Sequence, residues 1–482
     1  MHINPSIFRK YDIRGIANED LQPDFVKLFG YVTGRYFQEH GEEKVLLGRD
    51  NRESSDRIRD NLLEGLLAAG CHIVDIGTVT TPIFYYSRVA YDLNAGLMVT
   101  ASHNPGEYNG FKVALGHATI FGDDILDLLA RMEQARARLG GIDVDSFLER
   151  QAAGLADNLK DLAADRVASL NPAERYFQMM EDKIELGPKE LKVVVDCGNG
   201  TASLFAEELF TRLGCEVVPL YCESNPEFPN HHPDPVKTEN LLDLRDMVLA
   251  EGADLGVGFD GDGDRIGVVD DQGNIIWGDT LMILFWREIL PKYPGTTAII
   301  EVKCSEAVVR EVERLGGKAI FYKTGHSFIK AKMKELAAVF TGEMSGHMFF
   351  ADEYYGYDDA FYAAARLLRV LSNSEESLSG LLADIPVYYS TAEKYIKCSE
   401  EAKFRVVENL KEDFVDKYEV IDVDGVRVLF PDGWGLARCS NTQPAIVGRC
   451  EANSKEALVE ICQIMREALL KYPEVEDFQW EY

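Results

Sequence analysis

Short apolar, β-branched runs alternate with helical stretches in one repeating order through the first two-thirds of the chain. Val45-Leu46-Leu47-Gly48-Arg49-Asp50, Val193-Val194-Val195-Asp196-Cys197-Gly198 and Ile299-Ile300-Glu301-Val302-Lys303 each read as a strand running into a polar loop. A helical stretch follows each, then a second strand at His72–Ile76, Glu216–Leu220 and Ala319–Tyr322. Another helical stretch leads to a third strand, at Gly96–Val99, Asp254–Val257 and Ala338–Thr341. Strands that alternate with helices predict mostly parallel sheets with crossover connections. Ligands of such sheets sit at the carboxyl ends of strands, so the three loops after the third strands are expected to face one shared cleft.

The last hundred residues follow a different pattern. Phe404, Val407, Leu410 and Phe414 form one apolar stripe, which predicts a helix after Ser399. A second helix carries Leu458, Ile461, Met465 and Leu469, with Asn453 and Glu456 as its capping pair. Two short strands lie between, Val426–Phe430 and Ala445–Arg449, which makes an α+β domain with Ile385-Pro386 as a hinge before it. Residues 127–175 read as amphipathic helix, longer than a link between two units requires.

At 482 residues the length suits three or four domains, and 46% hydrophobic content supplies several cores. Runs such as Leu281–Trp286 are too short to span a bilayer, and the N-terminus lacks the layout of a signal peptide. Nine cysteines without a CxxC pair suit reduced thiols and a cytoplasmic location. A net charge of −31 argues against nucleic-acid and membrane partners. It also means that an anionic substrate would need local cations and a metal to offset the protein's own field.

Two of the three loops carry distinctive chemistry. Thr100-Ala101-Ser102-His103-Asn104-Pro105 presents a hydroxyl on a turn that Asn-Pro forces out of regular structure. Asp260-Gly261-Asp262-Gly263-Asp264-Arg265 sets three carboxylates between glycines, so that all three can face one hard cation. Ser102 alone fits a plain capping serine, and the aspartates alone fit a solvated turn. An EF-hand is excluded, because Arg265 stands where such a loop needs glycine and Asp271 where it needs glutamate. Zinc is disfavoured by the lack of His or Cys in the run. Together, a phosphate-bearing hydroxyl and an all-oxygen metal site are equipment for phosphoryl transfer.

The third loop, Gly342-Glu343-Met344-Ser345-Gly346-His347, gathers hydroxyl-directed groups, with a bare turn as the alternative. Arg438-Cys439-Ser440-Asn441-Thr442-Gln443-Pro444, with Arg449 beyond it, suits a phosphate receptor, because arginine offers a forked charged donor. Three cations cluster at Phe8–Gly15, Lys112 lies ten residues after Ser102, and Lys323-Thr324-Gly325-His326 completes the set.

In this order the motifs resemble the α-D-phosphohexomutase family across essentially the whole chain. The phosphoserine, metal, sugar and phosphate loops all occur, and Met344 within Gly-Glu-Met-Ser-Gly-His is most similar to the bacterial phosphomannomutase/phosphoglucomutase branch. The resemblance implies an α/β fold: three homologous mixed or parallel-sheet α/β domains and a C-terminal α+β domain around a central cleft. The boundaries fall at 1–171, 172–274, 275–386 and 387–482. It implies interconversion of hexose 1- and 6-phosphates, mannose and glucose, through phosphorylated Ser102 and a 1,6-bisphosphate. Mg²⁺ would be held by Asp260, Asp262, Asp264 and the Ser102 phosphate.

By motif match, Glu343 and Ser345 would grip sugar hydroxyls. Arg438, Ser440, Asn441, Thr442 and Arg449 would hold the phosphate that is not reacting. Tyr11, Arg14, Lys112, Arg265, Lys303, His326 and His347 would line the cleft, with Lys112 and His326 as candidates for taking the hydroxyl proton. The competing activities are a phosphoglucosamine or strict phosphoglucomutase, a metal-dependent sugar-phosphate phosphatase and a catalytically silent sensor. Intact Ser102 and all three aspartates argue against the last.

Overall fold

Continuous apolar strands need cover on both faces, and that requirement sets the architecture. The computed structural model describes residues 1–482 apart from 117, 154, 156–158, 441 and 442. They form two compact units, Met1–Gly278 with Ser345–Leu381, and Asp279–Met344 with Leu382–Tyr482.

In the first unit, Lys44–Arg49 pairs in parallel with His72–Thr78 on one side and Ala95–Val99 on the other. Tyr108–Leu115 adds antiparallel to Ala95–Val99, and Ile13–Ile16 antiparallel to that. Val45, Leu46 and Leu47 are fully buried. A second sheet runs Ile275–Ile276, Ile266–Asp270, Leu255–Phe259, Lys192–Asp196, Glu216–Leu220. Its last three strands are mutually parallel, and Ile266–Asp270 returns antiparallel to Leu255–Phe259. Helix Ala360–Ser372 covers it through Phe361, which meets Phe210 and Phe259 edge-on.

In the second unit, Thr297–Glu301 pairs in parallel with Lys318–Tyr322 and Phe340–Gly342. An antiparallel sheet, Tyr389–Ser390, Ala445–Ala452, Gly433–Cys439, Val426–Phe430, Glu419–Ile421, carries helices Lys403–Val415 and Lys455–Leu469 on its apolar face.

Three local expectations need correction. Residues 127–175 are not helix throughout: Asp123–Arg138, Val144–Ala152 and Leu159–Arg166 are helices, but Val167–Ser169 is an edge strand in parallel with His72–Thr78. The excess length covers the first sheet's helices, burying Leu128, Met132, Phe147 and Leu148. Phe404 is 51% exposed and leaves the predicted stripe. Its place is taken by Lys403, whose ammonium reaches the carbonyl of Ser440, so the buried face runs Lys403, Val406, Val407, Leu410, Phe414. The second helix is capped by Ser454, whose Oγ accepts from Ala457 N–H, while Asn453 donates instead to Asp432.

Candidate active site

Ser102 sits in the loop between Ala95–Val99 and Tyr108–Leu115, at the carboxyl end of the first sheet. Its φ of +53° lies in the left-handed region, a strain of about 1–2 kcal/mol for a residue with a Cβ. The surroundings impose it. The Ser102 N–H donates to Thr100 Oγ1 at 2.9 Å, and its Oγ donates to Asp260 Oδ2 at 2.7 Å.

Above all, the loop is laced by Arg52, a residue the sequence reading passed over. Its Nη2 donates to the carbonyls of Ser102 and Asn104, both at 2.6 Å, and its Nη1 to those of Pro105 at 2.6 Å and Tyr108 at 3.1 Å. The guanidinium is buried against Asp50 at 3.1 Å. The available signal was the polar run Arg49-Asp50-Asn51-Arg52 at a strand's carboxyl end, read there only as a loop. Arg14 supports the same loop, donating to Asn104 Oδ1 at 2.9 Å, and is itself paired with Asp12 at 2.6 Å.

Residues 260–265 turn the hairpin between Leu255–Phe259 and Ile266–Asp270, whose register closes at Phe259 and Ile266. Gly261 is there for space: a Cβ would lie 2.4 Å from the carbonyl oxygen of Ser102. Asp260, Asp262 and Asp264 are all fully buried, and their ligand oxygens lie within 4.8 Å of one another. Asp260 Oδ1 accepts the N–H groups of Asp264 and Arg265 at 3.0 and 3.1 Å.

Lys112 meets Asp262 at 2.8 Å and Asp264 at 2.5 Å. Burial works against its charge, but the two carboxylates more than offset that and raise its pKa well above the usual lysine range. Burial likewise opposes ionisation of Asp262, yet the charge and hydrogen bond of Lys112 hold its pKa below the usual carboxylate range. Asp260 goes the other way, raised by burial and then by its two acidic neighbours. Among the described residues, Oδ1 of Asp262 and of Asp264 have no hydrogen-bond partner. Two orphaned oxygens in an excess of buried negative charge fit a hard divalent cation.

Arg265 Nε donates to His347 Nε2 at 2.9 Å, so His347 carries its hydrogen on Nδ1, 3.1 Å from Asp358 Oδ2. Asp264, His347 and Asp358 form a second buried group of ligand-type atoms. Ser345 is half-buried beside Gly346, whose carbonyl accepts from Ile266 N–H at 3.1 Å. Tyr11 is half-buried just before strand Ile13–Ile16. The first unit thus brings together Ser102, Lys112, the three aspartates, Arg14, Arg265 and His347.

The second unit gathers another set. Lys303 pairs with Glu393 at 2.6 Å, and although burial lowers its pKa, Glu301 and Glu393 raise it beyond the usual range. Arg449 donates to the carbonyl of Lys303. Glu343, 2% exposed, accepts from Gly325 N–H at 2.8 Å, next to the buried His326. Arg438 pairs with Asp424 at 2.8 Å, and the same Asp424 oxygen accepts Thr324 N–H at 3.1 Å. Ser440 Oγ accepts Gln443 N–H at 3.1 Å, and Lys403 pins the loop by donating to the carbonyls of Ser440 and Gln443 at 2.7 and 3.1 Å. Asn441 and Thr442 lie outside the described residues.

Four family models match in sequence. They are phosphoglucomutase/phosphomannomutase alpha/beta/alpha domain I over residues 5–137, domain II over 174–273, domain III over 277–389 and the C-terminal domain over 393–468. A phosphomannomutase/phosphoglucomutase of Pseudomonas putida is 42% identical over 467 residues, 97% of this chain and 96% of the relative. A phosphoglucomutase of Neisseria gonorrhoeae is 39% identical over 462 residues, 95% of each chain. The crystal structure of a phosphoglucomutase/phosphomannomutase family protein from Burkholderia thailandensis matches with a TM-score of 0.88 at 37% identity, covering all of both chains.

Arg52→Met leaves Asp50 buried without its ion-pair partner and takes a donor from each of four carbonyls, of which Pro105 O keeps the Tyr108 N–H at 3.0 Å. It is expected to destabilise the first unit by about 3–5 kcal/mol. Hydrogen exchange should quicken across residues 100–108, while the second unit's pattern stays as in the wild type. Lys112→Met in chelator-treated protein tests the charge balance. A carboxyl whose folded pKa is depressed contributes stability above its unfolded pKa and loses it as pH falls through the folded value. Asp262 therefore adds stability to the wild type at neutral pH, so the variant should melt lower there, and the gap in melting temperature should close as pH falls through the carboxylate range.

Proposed function

Since the chain belongs to the phosphoglucomutase/phosphomannomutase family, we propose that it interconverts hexose 1-phosphates and hexose 6-phosphates, those of mannose and glucose, through a phosphoserine at Ser102. The observation that carries the reading is the Ser102 hydroxyl, 1% exposed and 2.7 Å from Asp260 inside a buried triple carboxylate. A hydroxyl in that setting is of use when phosphate is placed on it beside a cation. The bound metal, Mg²⁺ held by Asp260, Asp262, Asp264 and the Ser102 phosphate in this reading, supplies neutralisation of the charge on the transferring group.

The protein's own groups do the rest. Arg52 and Arg14 fix the loop so that Oγ keeps one orientation. The Ser102 phosphoryl group passes to the free hydroxyl of the bound sugar phosphate and gives a 1,6-bisphosphate. That intermediate turns end for end, and Ser102 Oγ takes back the other phosphoryl group. Arg265 and Lys112 supply fixed positive charge at the reacting end. Glu343 and Ser345 hold the sugar hydroxyls, with Lys303, His326, His347 and Tyr11 as further binding groups. Arg438, Ser440, Asn441, Thr442 and Arg449 hold the phosphate that is not reacting. Of the two candidates for the hydroxyl proton, Lys112 is held protonated between Asp262 and Asp264, which leaves that role to His326.

Burial of Ser102 favours a mutase over a phosphatase, since hydrolysis needs water at the phosphoserine. Among the described residues no helix is long and apolar enough to cross a membrane; the cytoplasm is the compartment this reading assigns.

The reading is tested with mannose 1-phosphate and glucose 1-phosphate plus catalytic 1,6-bisphosphate; no 6-phosphate formed from either would end it. Ser102→Ala should lose the phosphate-sized increment in intact mass and drop turnover by about a thousandfold or more. Asp262→Asn should weaken Mg²⁺ activation without removing the phosphate from Ser102. Arg438→Ala should raise KM for 1- and 6-phosphates by similar factors of about 10–100, the loss of a charged phosphate contact. A strong effect on one isomer alone would show that the loop does not serve both ends of the sugar.

A further inference from the structure

Among nine cysteines, two stand in a relation the mutase reading does not use. Cys197 follows strand Lys192–Asp196 and Cys222 follows Glu216–Leu220, and these strands are parallel neighbours with Asp196 opposite Leu220. The two Sγ atoms are 3.2 Å apart, with Cys222 half-buried and Cys197 buried. Adjacent strands bring the backbones within the span a disulfide needs, and the sulfurs need to close by only about 1.2 Å to reach bonding distance. The thiols of Cys450 and Cys462 also meet, but both are fully buried and offer an oxidant no entry.

We propose that Cys197 and Cys222 are a modification site: a dithiol that a hydroperoxide converts to a reversible disulfide, with loss of turnover. The partly exposed Cys222 sulfur attacks the peroxide oxygen, leaves as a sulfenic acid and releases the alcohol, or water from hydrogen peroxide. The Cys197 sulfur then displaces the sulfenic oxygen as water. Two thiols and one hydroperoxide give one disulfide, one alcohol and one water; the sulfurs are oxidised and the peroxide is reduced. Proximity drives the second step, because the resolving sulfur is already in contact.

The consequence follows from what the two loops hold. Three residues after Cys197, a Cβ on Gly200 would come within 3.2 Å of Gly261, and Thr201 N–H donates to the carbonyl of Gly261 at 3.0 Å. Gly261 lies between Asp260 and Asp262 and packs on the carbonyl of Ser102. Asn51 Nδ2 bridges both thiol loops, donating to Asn199 O and to Ser224 Oγ at 2.9 Å each, and Asn51 precedes Arg52. Drawing the sulfurs together pulls on the seat of the metal loop and on the residue next to the one that laces the Ser102 loop. A packing this close leaves no slack to absorb the shift.

The bridge is independent of the mutase reading; its effect on turnover rests on that reading, so the test has two arms. Full-length protein treated briefly with hydrogen peroxide should lose two hydrogens in intact mass, and peptide mapping after thiol blocking should place the bridge between Cys197 and Cys222. Turnover should fall in step with the bridged fraction and return with dithiothreitol. Cys222→Ser should keep wild-type turnover and resist peroxide; Cys197→Ser should accumulate a sulfenic acid that dimedone traps. If Cys197→Ser does not fold, Cys222→Ser decides alone. No two-hydrogen loss, a bridge elsewhere, a bridged enzyme with full turnover, or Cys222→Ser as peroxide-sensitive as the wild type would each overturn the proposal. Absence of turnover in the reduced protein would instead sink the mutase reading and leave the mass arm standing.

Discussion

Three carboxylates buried within 4.8 Å of one another are the constraint on which the first unit is organised. Each pair repels by about 4 kcal/mol at the effective dielectric of a protein. The ammonium of Lys112 stands against them, bonded to Asp262 and Asp264. It comes from strand Tyr108–Leu115 of the first sheet, whereas the aspartates turn a hairpin of the second. Balancing the charge therefore also ties the two sheets together. Lys112, even with Arg265 and Arg14 acting from farther off, leaves three buried carboxylates incompletely offset, and burial followed by the two acidic neighbours raises the pKa of Asp260. A fold with that residue of negative charge is arranged for a cation from outside.

The second constraint is backbone proximity. Gly261 presses on the carbonyl of Ser102 with no room for a methyl group, and Thr81 N–H donates to the carbonyl of Asp262 at 2.8 Å. Ser102 and the acidic loop thus hold each other by main chain as well as by the bond from Ser102 to Asp260. The left-handed backbone at Ser102 is sustained because Arg52 occupies the carbonyls around it, which leaves them no other arrangement.

This explains what was legible in the sequence. Strands such as Val193–Asp196 and the glycine-spaced aspartates declare themselves locally, by period and by spacing. The groups that hold the loops do not. Arg52 and Ser102 are fifty positions apart, and Lys403 and Ser440 are thirty-seven apart. The polar run around Arg52 marks it as a loop residue but does not name its partner, and nothing near Lys403 distinguishes it from a solvated surface cation. Phe404 failed for a related reason: hydrophobicity placed it on the stripe, while the demand of buried carbonyls put Lys403 there. The strand Val167–Ser169 was hidden because three residues at a sheet edge carry too little pattern to compete with flanking helix formers.

The net charge of −31 finally makes sense at the level of single pairs. Both basic side chains proposed to hold phosphate already have an acid: Arg438 has Asp424, and Arg449 lies 3.6 Å from Asp279. Arg14 and Lys303 likewise have Asp12 and Glu393. Such pairs orient the cations and offset the cost of burying their charge, which bare cations in an apolar setting would carry in full. In the proposed reaction an arriving phosphate exchanges partners instead of meeting free charge, so much of its Coulomb gain is offset by the carboxylate it displaces. Binding of that kind is selective yet shallow. A bisphosphate that must let go, turn and be gripped again by the opposite end is served better by shallow contacts than by deep ones, since every contact strengthened in one orientation has to be broken to reach the other.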